Sequence, residues 1–335
     1  MNPLIGFQVD PAELRFVGEG LERPECILAE RDGTLWVADG RGGITRIDPD
    51  GTQELILQDQ AAPNTASDYE SRLIQAEGSL PNGLAFDADG SILIANWGTE
   101  QLERMTRDGE TTVLLDHIEG RRIGKANFVT RDSKGRLWLT VTTQKQPWTD
   151  HFKDLSHDGY IALIDERGAR IVADGLCGTN ELRFDPEEGW LYVAETSARR
   201  VTRFRVQGDE LVERQIYGPE NLGGFNDGIA FDAYGNLWTT LIMADRLVAI
   251  TPQGDLLTIL DLGGDAAALA ALDAAWERNE ITPALMGAAG GTLCRWMASL
   301  TFGGADLCTV YLGSLQGTRI PVFQSPVAGQ ALLGW

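Results

Sequence analysis

The feature that most constrains this 335-residue chain is a turn glycine that recurs in register. Gly33, Gly90, Gly135, Gly189 and Gly235 each separate two short runs rich in β-branched, aromatic and aliphatic residues, at intervals of 57, 45, 54 and 46 residues. The stretch 225–240 shows the unit most plainly. Ile229 and Phe231 precede the turn, Leu237 and Trp238 follow it, and the residues between them break the run. Repeats of about 40–45 residues, each holding four strands, are the signature of a β-propeller blade, and the excess length is loop. A sixth, degenerate unit has strands near 298–303, 309–315 and 319–324, with little room for a fourth. Residues 13–18 read as a strand that can supply it.

The expected architecture is therefore an all-β, six-bladed β-propeller with four-stranded blades, a single domain over residues 1–335. Its blades start near 24, 81, 126, 179, 226 and 298, and an N-terminal strand closes the ring within the last blade. Trp36, Trp138 and Trp238 repeat in register with the turn glycines, which assigns them to the core. Surplus residues collect in segments 58–80, 141–159 and 258–297, and blade connectivity puts all three on one face, called the top. Within the last, residues 265–278 are rich in strong helix formers and predict a short helix. Long ordered loops on one face of a rigid scaffold usually carry the function.

Composition excludes some function classes. A formal charge of −21 without any basic patch argues against a nucleic-acid partner. Four scattered cysteines, at 26, 177, 294 and 308, have no metal-ligand spacing and read as free thiols in the core. There is no basic-then-apolar leader pattern and no run approaching about 18 apolar residues, so the expectation is a soluble, cytoplasmic protein with no membrane partner. The sequence contains no Gly-x-Ser-x-Gly elbow, no phosphate-cradling loop and no dinucleotide fingerprint.

Eight residues before each turn glycine, or nine in the fourth unit, stands an acid or an amide: Glu25, Asn82, Asn127, Asn180 and Asp227, with Ser299 as the rough counterpart in the sixth unit. That position opens the innermost strand of a blade, next to the propeller axis, so the five side chains are expected to converge at the top of the channel. Asx residues before strands also form turns, and Asn82-Gly83 and Asp227-Gly228 are common turn pairs. Turn chemistry, however, does not ask for an acid or amide in every unit, and glutamate is a poor turn former. An oxygen-only donor set suits a hard divalent cation, calcium first, with magnesium or manganese as alternatives.

The chain resembles the family of senescence marker protein, gluconolactonase and luciferin-regenerating enzyme, which are six-bladed calcium-dependent propeller hydrolases. The resemblance runs along nearly the whole chain and includes Phe302-Gly-Gly-Ala-Asp-Leu-Cys-Thr-Val-Tyr311. It implies that Glu25, Asn180 and Asp227 hold a calcium ion, and that Asn127 contacts metal or substrate. Lys125 stands where the family has a substrate-binding arginine, Phe128 where it usually has aspartate, and Pro24-Glu25-Cys26 where it has Glu-Gly-Pro. Those departures bear on recognition of a sugar lactone, for which a planar guanidinium and a point charge are not equivalent.

The expected activity is calcium-dependent hydrolysis of a lactone or related ester, a small-molecule substrate. Asp227 is assigned as nucleophile or general base and Lys125 as a holder of the developing oxyanion or of a substrate carboxylate. Asn82, Asn127, Trp148, His151 and Phe152 are assigned to the substrate side, with Trp148 and Phe152 as apolar walls and His151 as a proton shuttle. His117 reads as a surface residue. Two alternatives stay open: a non-catalytic propeller that binds a ligand or protein above a structural calcium, and a hydratase or isomerase that uses the same metal.

Overall fold

The computed structural model describes residues 1–59, 78–153 and 155–333. Among them are six four-stranded antiparallel sheets, five of them meanders of consecutive strands and the sixth three consecutive strands joined by the N-terminal one. Their innermost strands are Ile27–Ala29, Pro81–Phe86, Ala126–Arg131, Thr179–Phe184, Asn226–Phe231 and Met297–Gly303. Each packs against the next, and the last packs against the first, so the sheets form a closed six-bladed propeller. Closure follows the expected route. Strand Arg15–Val17 pairs antiparallel with Ile320–Gln324, Arg15 opposite Val322 and Val17 opposite Ile320.

Local chemistry explains the repeating hairpin. In the fifth blade Asp232 accepts the Tyr234 and Asn236 amides at 3.0 and 2.9 Å, and Gly235 takes the left-handed conformation at φ +95°. The other oxygen of Asp232 accepts the Trp238 indole N–H at 2.8 Å. Asp132 with Trp138 and Glu30 with Trp36 repeat this link at 2.9 and 3.0 Å. The fourth blade departs from it. There Glu188 takes the positive φ, at 52°, in place of Gly189, which accounts for the extra residue in that unit. The three tryptophans are buried as expected, and Cys26, Cys177 and Cys294 are buried free thiols, whereas Cys308 is half-buried.

Of the expected top segment 58–80, residues 60–77 lie outside the described residues. Segment 141–159 forms a helical turn, Trp148–Phe152. Segment 258–297 carries the expected helix, Ala266–Glu277, capped by Asp265, which accepts the Ala267 and Ala268 amides at 2.8 and 2.9 Å. A second helix, Pro283–Ala288, was not anticipated; Thr282 caps it and Pro283 sets its first turn. The longer helix is fastened to the fourth blade: Trp276 donates to the Ser197 carbonyl at 2.7 Å, and Arg199 stacks on Trp276 and Phe225 while pairing with Asp273 at 2.8 Å. Among the described residues no helix is long and apolar enough to cross a membrane.

Candidate active site

Five of the six innermost strands carry a register shift close to their first residues. The shifts fall between Pro81 and Gly83, Ala126 and Phe128, Thr179 and Leu182, Asn226 and Ile229, and Met297 and Leu300. A bulge re-aims the side chain at the break, and at four of these breaks that side chain is Asn82, Asn127, Asn180 or Asp227. Glu25 arrives from the loop before Ile27–Ala29. All five line one cavity at the top of the channel, which encloses about 560 Å³ of empty space including its open mouth.

The glycines after Asn82 and Asp227 are not turn residues. A Cβ on Gly83 would lie 2.5 Å from the Phe128 Cα, and one on Gly228 would lie 2.5 Å from the Ser299 Cα. Glycine is required there because neighbouring inner strands approach so closely. Ser299 turns away from the cavity and donates to the Glu25 carbonyl, tying the last blade to the first.

Hydrogen bonds sort the ring into two classes. Asn82 is fully engaged: its Oδ1 accepts from Arg23 at 2.5 Å, and its Nδ2 donates to Glu25 Oε1 at 3.2 Å and to the Asn127 carbonyl at 3.0 Å. Asn180 is clamped only through its nitrogen, which donates to Thr196 Oγ1 at 3.0 Å, and that hydroxyl donates to the Asn226 carbonyl at 2.7 Å. Consequently Glu25 Oε2, Asn127 Oδ1 and Asn180 Oδ1 are buried acceptors that receive no hydrogen bond. Buried polar atoms are rarely left in that state without a reason such as an ion. Among the described residues no group of three or more His, Cys, Asp and Glu side chains is placed to hold a metal. The donor set here is instead two carboxylates with carboxamide oxygens, chemistry that fits a hard cation.

Electrostatics point the same way. Burial pushes Glu25 up to about 8, with Arg23 opposing the shift and Glu181 adding to it. Burial likewise holds Asp227 well above the carboxylate range, reinforced by Glu25 and Glu181 and opposed by Arg23 and by a hydrogen bond from Asn180. Glu181, buried beside the ring and paired with Arg183 at 2.9 Å, is raised by burial to about 7. All three acids thus bind protons more tightly folded than unfolded. Their stabilising contribution is fully present below glutamate's ordinary value of 4.5 and is lost as pH rises through about 7 and 8. Chelator-treated protein is therefore expected to melt at progressively lower temperature from pH 5 to pH 8.5, each group costing at most about 1.4 kcal/mol per pH unit. Added calcium should restore more stability at pH 8.5 than at pH 5, as scanning calorimetry can measure. A melting temperature that rises with pH in chelator would contradict this.

Above the polar floor the walls are apolar. Trp148 and Phe152 line the cavity. Trp148 packs edge-on against Trp97 at 5.2 Å, and Phe152 against Phe225 at 5.5 Å. His151 also lines it, 1% exposed rather than solvated, with its Nδ1 at 2.7 Å from the Ser197 hydroxyl. Lys125 is placed elsewhere. Its ammonium pairs with Glu100 at 3.1 Å and donates to the Trp97 carbonyl at 3.3 Å, and it is not among the residues lining the cavity. The oxyanion-holding role expected of it has no geometric support, because Glu100 and the Trp97 carbonyl hold its ammonium. His117 is exposed and lies beside Asp116.

Sequence reasoning missed a second tier of the cavity. Trp97, Thr142, Thr196, Ile242 and Leu315 all line it, and each is the first residue after the second strand of its blade. That register is as legible as the ring of acids and amides, and it follows from the same geometry one strand outward. Met286 and Trp296 come from segment 258–297 and carry no repeat signal. Arg23, also in the lining, precedes Glu25 by two residues.

The family profile described as "SMP-30/Gluconolactonase/LRE-like region" matches residues 107–276, just over half of the chain. The chain belongs to this family. Among curated relatives of this gluconolactonase-like chain, a strictosidine synthase-like protein of Arabidopsis thaliana is 25% identical over 234 residues, 68% of this chain. A 6-deoxy-6-sulfogluconolactonase of Pseudomonas putida is 24% identical over 234 residues, 69% of this chain. The alignments span 59% and 67% of those two relatives' own lengths. The structure of regucalcin from Agrobacterium tumefaciens, a calcium-binding protein, superposes with a TM-score of 0.66 at 13% identity, covering 95% of this chain and 96% of that one. At that identity the superposition speaks for the shared propeller alone.

Proposed function

We propose that this protein is a hydrolase that opens a lactone or related ester at a divalent cation, calcium in the first place. The observation that carries this reading is the set of unpartnered buried oxygens on Glu25, Asn127 and Asn180, gathered with Asp227 on the floor of an apolar-walled cavity. The family's gluconolactonase members and the sulfogluconolactonase relative support it.

In this reading Glu25, Asn127, Asn180 and Asp227 hold the cation. When bound, it supplies Lewis acidity at the carbonyl oxygen of the substrate. Asp227 takes the proton from the attacking water at its carboxylate, because no other acid of the cavity lining combines a central position with freedom from Asn82. His151, held at Nδ1 by Ser197, gives a proton to the leaving alkoxide and is reset by the proton that Asp227 took from the water. Trp97, Trp148, Phe152 and Trp296 exclude water and favour an apolar body. Lys125 acts at one remove, bracing the Trp97 carbonyl. Asn82 positions Glu25.

A panel of lactones assayed by acid release, in calcium and in excess chelator, tests the proposal. Aryl- and alkyl-substituted lactones are expected to show kcat/KM about tenfold or more above a sugar lactone, since one or two well-buried methylenes are worth that much. Chelator should abolish turnover. Equal rates with and without chelator would sink the hydrolase reading. The absence of turnover on every lactone would transfer the site to another metal-assisted reaction.

A further inference from the structure

Among the described residues that line the cavity one is an arginine and none is a lysine, so the cation there is not the lysine that the sequence suggested. Arg23 is 5% exposed and lines the cavity beside Glu25. Two of its N–H groups are occupied, Nη1 on the Pro81 carbonyl at 2.9 Å and Nη2 on Asn82 Oδ1 at 2.5 Å, both neutral acceptors. Its Nε is buried and donates to nothing. Among the ion pairs of the described residues none includes Arg23; its charge acts on Glu25 and Asp227 without a direct bond to either carboxylate. A buried charge is ordinarily held by a direct ionic partner, and leaving it with neutral acceptors alone is unfavourable.

The backbone has been shaped to put it there. Arg23 sits at φ +52°, a left-handed conformation that is uncommon for arginine and that persists only where the surroundings impose it. The second tier of the cavity shows what makes room for it. In five blades the residue after the second strand is a side chain in the lining, but in the first blade it is Gly40, after Leu35–Asp39. A Cβ on Gly40 would come within 3.1 Å of the Arg23 Cβ. Gly40 leaves a gap in that tier, and Arg23 fills it from the adjoining loop.

We infer that Arg23 is the substrate-orienting residue of this cavity and that the substrate class is an apolar molecule carrying a carboxylate-type anion apart from the bond that is hydrolysed. The inference rests on the proposed hydrolase for the second half of that statement and on geometry alone for the first. Arginine suits the task, since its remaining N–H groups form a planar fork that matches a carboxylate. Charge counting agrees. With a divalent cation set against Glu25 and Asp227, and Glu181 set against Arg183, the positive charge of Arg23 is the remainder on the floor. An anion on the substrate balances it, while the aromatic walls take the apolar body.

Two measurements on the full chain in calcium test this. The first compares kcat/KM for an aryl lactone bearing a ring carboxylate with that for its methyl ester. The wild type should prefer the carboxylate, and Arg23→Gln should cut that preference about 30-fold or more, within the range of lost charge-assisted bonds. The second follows phenylacetate binding by quenching of tryptophan fluorescence. Affinity should fall about 100-fold in Arg23→Gln, and Arg23→Lys, which keeps the charge but not the fork, should recover part of it. Calcium content, measured in parallel, identifies a variant whose floor has collapsed; in that case the Arg23→Lys values decide. Equal losses on both lactones, or phenylacetate binding indifferent to Arg23, would overturn the inference. If the wild type hydrolyses no lactone yet binds phenylacetate through Arg23, the proposed reaction falls and the anion site stands. If neutral lactones are hydrolysed and phenylacetate does not bind, the reverse holds.

Discussion

Asp227→Asn is expected to lower lactone turnover by about a thousandfold, equivalent to about 4 kcal/mol, and to weaken calcium binding with it. The substitution is nearly isosteric, so the cavity keeps its shape and its walls. What it removes is one of the two carboxylates on a floor whose other donors are neutral amides, together with the proton acceptor assigned to the attacking water. The stability effect should run in the opposite direction. In chelator at pH 8, Asp227 faces Glu25 and Glu181 across a buried space with only Arg23 and Asn180 opposing them. Relieving one of those acids should raise the melting temperature of the chelated protein above that of the wild type. Loss of activity combined with a gain in cation-free stability is the mark of a site held under strain for function. Isothermal titration with calcium, acid-release kinetics and calorimetry measure the three effects. Wild-type turnover by the variant, or a lower melting temperature in chelator, would refute the assignment.

Trp238→Ala should be the most destabilising of the core substitutions, at about 3–5 kcal/mol for the cavity, with about 1 kcal/mol more for the lost hydrogen bond. The indole is fully buried, meets Phe302 edge-on at 5.3 Å and Phe323 at 6.4 Å, and donates to Asp232 at 2.8 Å. Asp232 in turn organises the turn at Gly235, so the substitution damages both the blade core and the hairpin that defines it. Trp238→Phe keeps most of the buried area and isolates the hydrogen bond, and it should cost about 2 kcal/mol. Urea titration distinguishes the two. Calcium affinity of the refolded Phe variant should match the wild type, since Trp238 is not among the residues lining the cavity. A Phe variant as damaged as the Ala variant would mean that the bond to Asp232, rather than packing, dominates.

The blade count, the closing strand at 15–17 and the helix at 266–277 were legible in the sequence for one physical reason. Turns, caps and strand alternation are decided by residues within a few positions of one another, so a repeat of such signals reveals a repeat of structure. The positions of Glu25, Asn82, Asn127, Asn180 and Asp227 were legible by the same register. Their individual roles were not. Whether a ring carboxamide presents a free oxygen depends on partners far along the chain: Asn82 is bound to Arg23, 59 residues away, and to Glu25, 57 residues away. The bulges that aim these side chains, and the interstrand contacts that demand Gly83 and Gly228, arise only when neighbouring blades meet. The cation of the cavity followed the same rule. Lys125 had the expected position in the sequence, but Glu100 captures it. Arg23 had no motif, yet the space above Gly40 and a left-handed backbone bring it to the floor. Charge and side-chain direction are set by the assembled ring, because buried electrostatics sums over every neighbour in space, whereas local conformation sums over neighbours in sequence.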